Sequence, residues 1–319
     1  MDYSTTNSKP CIVVICGPTC IGKTSFAIKM AKSFNGEIIS ADSMQIYKHM
    51  DIGTAKPTSQ ELDQIHHHMI DIVNPDEHFD ASMFSDTARK IIFRLAKQNI
   101  IPFVVGGTGL YIKALLYGIF KSNLHKPDVR MRLKNEAVLH NDPTLLYKRL
   151  CDSDPEAASK IHQNDTYRII RALEIYEITG QPISKYHNEH RFAQTPFNVL
   201  KIGLNMSRKT LYEKIDARVD AMIDNGLVDE VEKLAVNYSQ DLKSMKSIGY
   251  LHINKYLNNL CPWDKTVEIF KRDTRRYAKR QLTWFNADSD IIWRHPQSIE
   301  NSRLIVKNFL DGKKARLID

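Results

Sequence analysis

The run "CIVVICGPTCIGKTSFAIKMAKSF", residues 11 to 34, limits the fold more than any other part of the chain. Six apolar residues, Cys11 to Cys16, suit a short strand buried on both faces. Gly17 to Thr24 then fit the spacing G-x-x-x-x-G-K-S/T, and a helical stretch follows. Strand, glycine turn and helix in this order make a phosphate cradle. The loop Gly17, Pro18, Thr19, Cys20, Ile21, Gly22, Lys23 and Thr24 presents backbone N–H groups and a helix N-terminus to phosphate oxygens. Lys23 adds a point charge, and the Thr24 hydroxyl suits Mg2+ as a metal ligand.

The alternation of strand and helix continues. "GEIISAD" (36–42), "HMIDIV" (68–73) and "IIPFVV" (100–105) read as strands, and "DASMFSDTARKIIFRLAKQ" (80–98) as an amphipathic helix capped by Asp80. This predicts an α/β fold, a P-loop NTPase-like parallel sheet with helices on both faces. Ligands of such sheets bind at the carboxyl ends of strands, where the 17–24 loop, Asp42 and "GGTG" (106–109) all fall. From residue 121 the pattern turns helical, and strand character returns at "FNVLKIGLN" (197–205). The expected organisation is a discontinuous core, 1–120 and 198–319, with a helical insertion domain at 121–197. A helix closed by Gly226 and a long basic helix over 264–285 complete the core.

The formal charge is +8, and six of the ten residues in "KRDTRRYAKR" (271–280) are basic, the densest such block. A polyanionic partner is compatible with that. Five scattered cysteines without a C-x-x-C pair argue against a disulfide framework or structural zinc, and for a reducing compartment. No apolar run approaches the ~20 residues that span a bilayer, and "MDYSTTNSKP" lacks an apolar leader stretch. The expectation is a cytoplasmic protein with no membrane partner.

Asp42 reads two ways, as a turn cap before "SMQIY" or as a carboxylate acting as metal partner or general base. Thr108 reads as the cap of "GLYIKALL" or as a phosphate contact, and local grounds favour the cap. "HHH" (66–68) invites a metal, but adjacent side chains point in different directions and no fitting ligand set surrounds them. No hydrophobic run ending in D-E follows the phosphate loop, which disfavours a motor-type ATPase.

Taken in order, "GPTCIGKTSFA", "IISADSMQIYKHMDIGTAKP", "HHHMIDI", "VVGGTGLYIKALLYG", "DPEAASKIHQNDTYRIIRALEI", "RVDAMIDNGLVDEV", "SIGY" and "YAKRQLTWF" resemble the tRNA dimethylallyltransferase family. The resemblance covers most of the chain, and "DSMQIYKHMDIGTAKP" is its most diagnostic part. It implies that the loop holds dimethylallyl diphosphate with Mg2+, rather than ATP. It implies transfer of the dimethylallyl group to the adenosine next to the anticodon. By the same resemblance Asp42 is the general base, Thr108 binds an oxygen near the breaking bond, and Arg218 helps hold the diphosphate. Contacts to the tRNA anticodon stem-loop would fall on Asp42, Ser43, Met44, Gln45, Thr108 and Arg130. Further contacts would fall on Tyr167, Arg168, Ile169, Ile170 and Arg171, and on Lys246, Ser247, Ile248, Gly249 and Tyr250. The last set is Lys279, Arg280, Gln281, Leu282, Thr283, Trp284, Phe285 and Asn286. A monomer is expected.

The chain departs from the family pattern at Cys20 and Ile21, where alanine and serine are usual, which leaves the backbone cradle without a side-chain hydroxyl there. Leu251 and His252 replace a polar or charged pair, and Asn286 stands where arginine is frequent. No cysteine–histidine finger follows the core, so the bacterial type is expected. Three other readings compete: an adenylate-type isopentenyltransferase acting on free nucleotide, a P-loop small-molecule kinase, and a non-catalytic RNA-binding protein. The insertion and the basic helix argue against the first. Intact Lys23, Thr24, Asp42 and Thr108 argue against the last.

Overall fold

A computed structural model describes residues 9–118, 127–139, 144–190 and 195–312. In chain order the elements are β1 (Cys11–Cys16), α1 (Lys23–Ser33), β2 (Gly36–Ser40), α2 (Ser59–Leu62), β3 (His67–His68), α3 (Ala81–Lys97), β4 (Ile101–Gly106) and α4 (Gly109–Tyr117). Then come α5 (Pro127–Leu139), α6 (Leu145–Ser153), α7 (Pro155–Lys160), α8 (Thr166–Thr179) and α9 (Ile183–His190). The last group is β5 (Asn198–Leu204), α10 (Arg208–Asp224), α11 (Leu227–Asn237), α12 (Tyr250–Leu257), α13 (Trp263–Asn286), β6 (Ile291–Arg294) and α14 (Ile299–Leu310).

The strands form one parallel sheet in the order β3-β2-β4-β1-β5-β6. β1 lies inside the sheet, between β4 and β5. Its Ile12, Val13, Val14 and Ile15 are buried, as a strand covered on both faces requires. Val13 and Ile15 share a face, and α1 lays Phe26, Ala27, Met30 and Ala31 into the same core cluster. The chain is thus an α/β protein whose glycine loop, residues 17–24, leaves the carboxyl end of an interior strand. Asp80 caps α3 as expected, accepting from the N–H of Ser82 (2.9 Å) and Met83 (3.0 Å).

Two strands differ from the sequence reading. The third strand, expected over 68–73, is only His67–His68. Met69 (φ 66°) and Asp71 (φ 55°) adopt left-handed backbone, which breaks the extension. Strand β6 was not expected, since "IIWR" is short and follows a helix directly with a turn.

The chain divides into two compact units, Met1–Leu116 with Pro196–Asp319, and Tyr117–Thr195. The second is all-helical where described and packs Leu133, Leu146, Leu150, Ile169, Ile170 and Leu173 together. Its buried Glu174 is matched by Arg171 (2.8 Å) and Arg130 (3.8 Å). Among the described residues no helix is long and apolar enough to cross a membrane.

Candidate active site

The loop between β1 and α1 is built for close approach by a ligand. Gly17 (φ 145°) and Gly22 (φ 94°) take up backbone that favours glycine, and a Cβ on Gly17 would stand 2.7 Å from the Leu204 carbonyl oxygen. Cys20, with no such exemption, is also left-handed (φ 64°). No side chain caps the N-terminus of α1, so its amides face the loop. Lys23 curls back to donate to the carbonyls of Pro18 (2.7 Å) and Gly17 (3.1 Å). Burial pushes its ammonium down to about 8, opposed by Asp42 and reinforced by Arg218. Ile21 points into the core, so it offers the loop only its backbone.

Asp42 lies just past β2. Its Oδ1 accepts from the N–H groups of Met44 (2.8 Å) and Gln45 (3.3 Å). The turn-cap reading is therefore correct for one oxygen, and among the described residues nothing hydrogen-bonds the other. Thr108 does not use its hydroxyl to cap α4. That hydroxyl accepts from the Ser43 N–H (3.1 Å) and stands within hydrogen-bond reach of the Tyr277 phenol, which burial and the Asp42 charge push up. The tight turn at 106–109 packs face to face with the chain around it: a Cβ on Gly106 would meet the Ala41 carbonyl oxygen at 2.1 Å.

Two cavities meet at this point. The larger, about 470 Å³, is lined by Lys23, Thr24, Ser40, Lys56, His67 and Lys214 among others. The smaller, about 260 Å³, is lined by Met44, Ile215, Val219, Met222, Ile248, Phe270 and Tyr277. Thr19, Cys20, Asp42, Thr54, Ala55 and Arg218 border both. Arg218 Nη1 lies 3.7 Å from Cys20 Sγ. A polar, cation-lined cavity thus adjoins an apolar one, with a carboxylate and a guanidinium among the residues that border both. That arrangement suits a group transfer in which an anionic leaving group and an apolar transferred group occupy different chambers.

The profile of the IPP transferase family matches residues 45–288. This chain belongs to that family. It is 48% identical over 307 residues to the tRNA dimethylallyltransferase of Desulfosudis oleivorans, covering 95% of this chain and 97% of that one. The full-length tRNA isopentenylpyrophosphate transferase of Bacillus halodurans is 38% identical, covers 95% of this chain and 96% of its own, and superposes with a TM-score of 0.71. A eukaryotic dimethylallyltransferase acting on tRNA reaches a TM-score of 0.82 at 28% identity, over 97% of this chain and 81% of its own.

Within this IPP transferase, the residues expected to touch RNA divide by burial. Tyr167 is 69% exposed, and Arg130 stacks over its ring at 5.1 Å. Arg168 is exposed and paired with Asp165, while Arg171 is half-buried against Glu174. Lys279, Arg280, Thr283, Trp284 and Asn286 are exposed on α13. Lys246 is exposed and paired with Asp241. Ser43, Met44, Ser247 and Ile248 line the smaller cavity.

Others correct the expectation. Ile169, Ile170, Tyr250 and Phe285 are core residues with at most 4% exposure, so their side chains cannot meet RNA. Leu282 packs against the core, and Gly249 is buried with φ 93°. Gln45 is committed to Ser40 and to the carbonyls of Thr54 and Ala55. Gln281 is buried and ties the two glycine turns together, accepting from Thr19 N–H (2.8 Å) and donating to the Gly107 carbonyl (2.9 Å). Thr108 lines neither cavity.

Sequence reasoning missed Lys56, Lys214 and His67 in the larger cavity. The Nδ1–H of His67 donates to the Ile65 carbonyl (2.9 Å), which leaves Nε2 a buried acceptor with no partner among the described residues. It also missed Glu230. That carboxylate accepts from the N–H groups of Asp51 (2.9 Å), Ile52 (2.8 Å) and Gly53 (3.1 Å) and from the Tyr250 hydroxyl. "DIGT", "VDEV" and "SIGY", distant in sequence, are one anchor in space.

Proposed function

We propose that this chain transfers a dimethylallyl group from dimethylallyl diphosphate to the exocyclic amine of the adenosine 3′-adjacent to the anticodon of tRNA, releasing diphosphate. The observation that carries the reading is the meeting of the two cavities at Asp42 and Arg218. The diphosphate lies in the larger chamber, on the backbone of Gly17–Thr24 with Lys23 and Arg218. The apolar walls of the smaller chamber receive the dimethylallyl group and the unstacked adenine, which a single-stranded loop can present cheaply.

The amine lone pair attacks the first allyl carbon, the carbon–oxygen bond breaks, and its electron pair leaves with the diphosphate. Asp42 takes the proton from the amine as the new bond forms. Its capped Oδ1 fixes the carboxylate, and Oδ2 is the oxygen offered to the substrate. Lys23, Arg218 and the α1 amides meet the charge that grows on the leaving oxygen. Thr108 acts by holding Ser43 and Tyr277 around this junction. The Thr24 hydroxyl and the Asp42 carboxylate line the larger chamber, and such hard oxygen donors fit Mg2+. When bound, that ion supplies charge neutralisation to the diphosphate. On the core, Lys279, Arg280 and Trp284 of α13 contact the anticodon stem-loop. On the helical unit Arg130, Tyr167 and Arg168 do so.

Incubating the protein with dimethylallyl diphosphate and tRNA, and in parallel with free adenylate and with ATP, tests this by the mass of the products. Gain of one dimethylallyl group on a single adenosine of the tRNA is expected. Prenylation of free adenylate alone would overturn the assignment of RNA as acceptor.

A further inference from the structure

Three adjacent histidines cannot share an ion, but residues two apart on an extended chain can, because alternate side chains point to one face. In β3, His67 is in register with Ile38 of β2. Ile38 belongs to the core cluster under α1, and both residues line the phosphate cavity. His66, His68 and Glu37 therefore fall on the opposite face of the sheet. Their ligand atoms all lie within 4.8 Å of one another. His68 Nε2 is 2.6 Å from Glu37 Oε2, and the His66 ring stands 4.3 Å from the His68 ring.

We propose that Glu37, His66 and His68 form a binding site for one divalent transition ion of the zinc type. Two imidazoles and a carboxylate are a donor set that zinc accepts, with a fourth position left for water. Ligand atoms around a tetrahedral zinc stand about 3.3 Å apart. Glu37 needs only a small rotation away from His68 to admit the ion, and its partly exposed side chain permits that. His66 is exposed and gives the ion a way in, while His68 is buried and gives the site a fixed wall. Two of the three donors are imidazole nitrogens, so a cation that prefers all-oxygen ligands, such as Mg2+ or Ca2+, is a poor fit, and one bound through imidazole nitrogen is a good one. The ion would staple β3, an edge strand of two residues, to β2. Between its two imidazole ligands sits His67, whose orientation in the phosphate cavity the staple would hold.

The test uses untagged full-length protein stripped with a chelator, titrated with Co2+ and followed by visible absorption, then with Zn2+ as competitor. About one equivalent should bind, with the intense visible bands of tetrahedral cobalt, and Zn2+ should displace it. His66→Ala removes an exposed ring and leaves the fold intact. It should weaken binding by at least the ~10- to 100-fold that loss of a mere outer partner costs. Glu37→Gln should weaken it similarly. Zn2+ should raise the melting temperature of the parent protein and not of His66→Ala. No visible bands and no retained metal would overturn the proposal, and so would Co2+ binding that is equally tight in His66→Ala.

Discussion

Diphosphate binding should take up a proton, and Lys23 is the reason. Burial holds its ammonium down at about 8, with Arg218 pushing the same way and Asp42 pulling against both. A diphosphate in the loop brings negative charge to Nζ, which restores the ammonium toward the ordinary lysine value of 10.5. The protonated form is the one that binds well. Affinity should therefore be level below pH 8 and fall as pH rises through 8, by about tenfold per pH unit until the restored value is reached. In the free protein about half of Lys23 is deprotonated at pH 8 and about nine tenths at pH 9, and the same fractions give the protons taken up per ligand. Isothermal calorimetry with dimethylallyl diphosphate, without RNA, in two buffers of different ionisation enthalpy measures that uptake. The ligand is itself fully ionised in this range, so the protons counted belong to the protein. Lys23→Met should bind more weakly and take up none. Uptake below about 0.2 proton at pH 9, or uptake that persists in Lys23→Met, would refute the placement of Lys23 against the diphosphate.

Asp42→Asn keeps a carbonyl oxygen for the N–H groups of Met44 and Gln45, so the turn should survive while single-turnover prenylation drops by about 10²- to 10⁴-fold. A rate above roughly a tenth of normal would place the base elsewhere. Changing Arg276, Lys279 and Arg280 together to Ala should flatten the slope of log K against log salt for tRNA by about two and leave dimethylallyl diphosphate binding unchanged. An unaltered slope would remove α13 from the RNA interface. Glu230→Ala strips the acceptor from three backbone N–H groups and the Tyr250 hydroxyl, and should cost about 2–4 kcal/mol in urea unfolding. A loss under about 0.5 kcal/mol would mean the 51–53 loop holds itself.

Features written in contiguous residues can be read along the chain before it folds. The 17–24 loop is legible because strand, glycine turn and helix follow one another, and the positive φ values at Gly17 and Gly22 are local demands. The Asp80 cap and the extent of α13 follow from the same short-range rules. Which faces are covered, and which distant groups meet, depends on packing. Periodicity places Arg168 with Arg171, and Trp284 with Phe285, without saying that Phe285 turns into the core while Trp284 stays out. Gln281 reads as one more polar residue on a basic helix until packing brings it to Thr19, 262 positions away. Thr108 reads as a cap until the turn after β2 offers it the Ser43 amide. The histidines at 66–68 show both limits at once. Their order in the chain separates them, and only the register of β3 on β2 sorts His67 to one face and His66 and His68, with Glu37, to the other. Local backbone preference acts over three or four residues and can be read along the chain. Burial and strand register depend on surfaces that exist only once the chain has closed on itself.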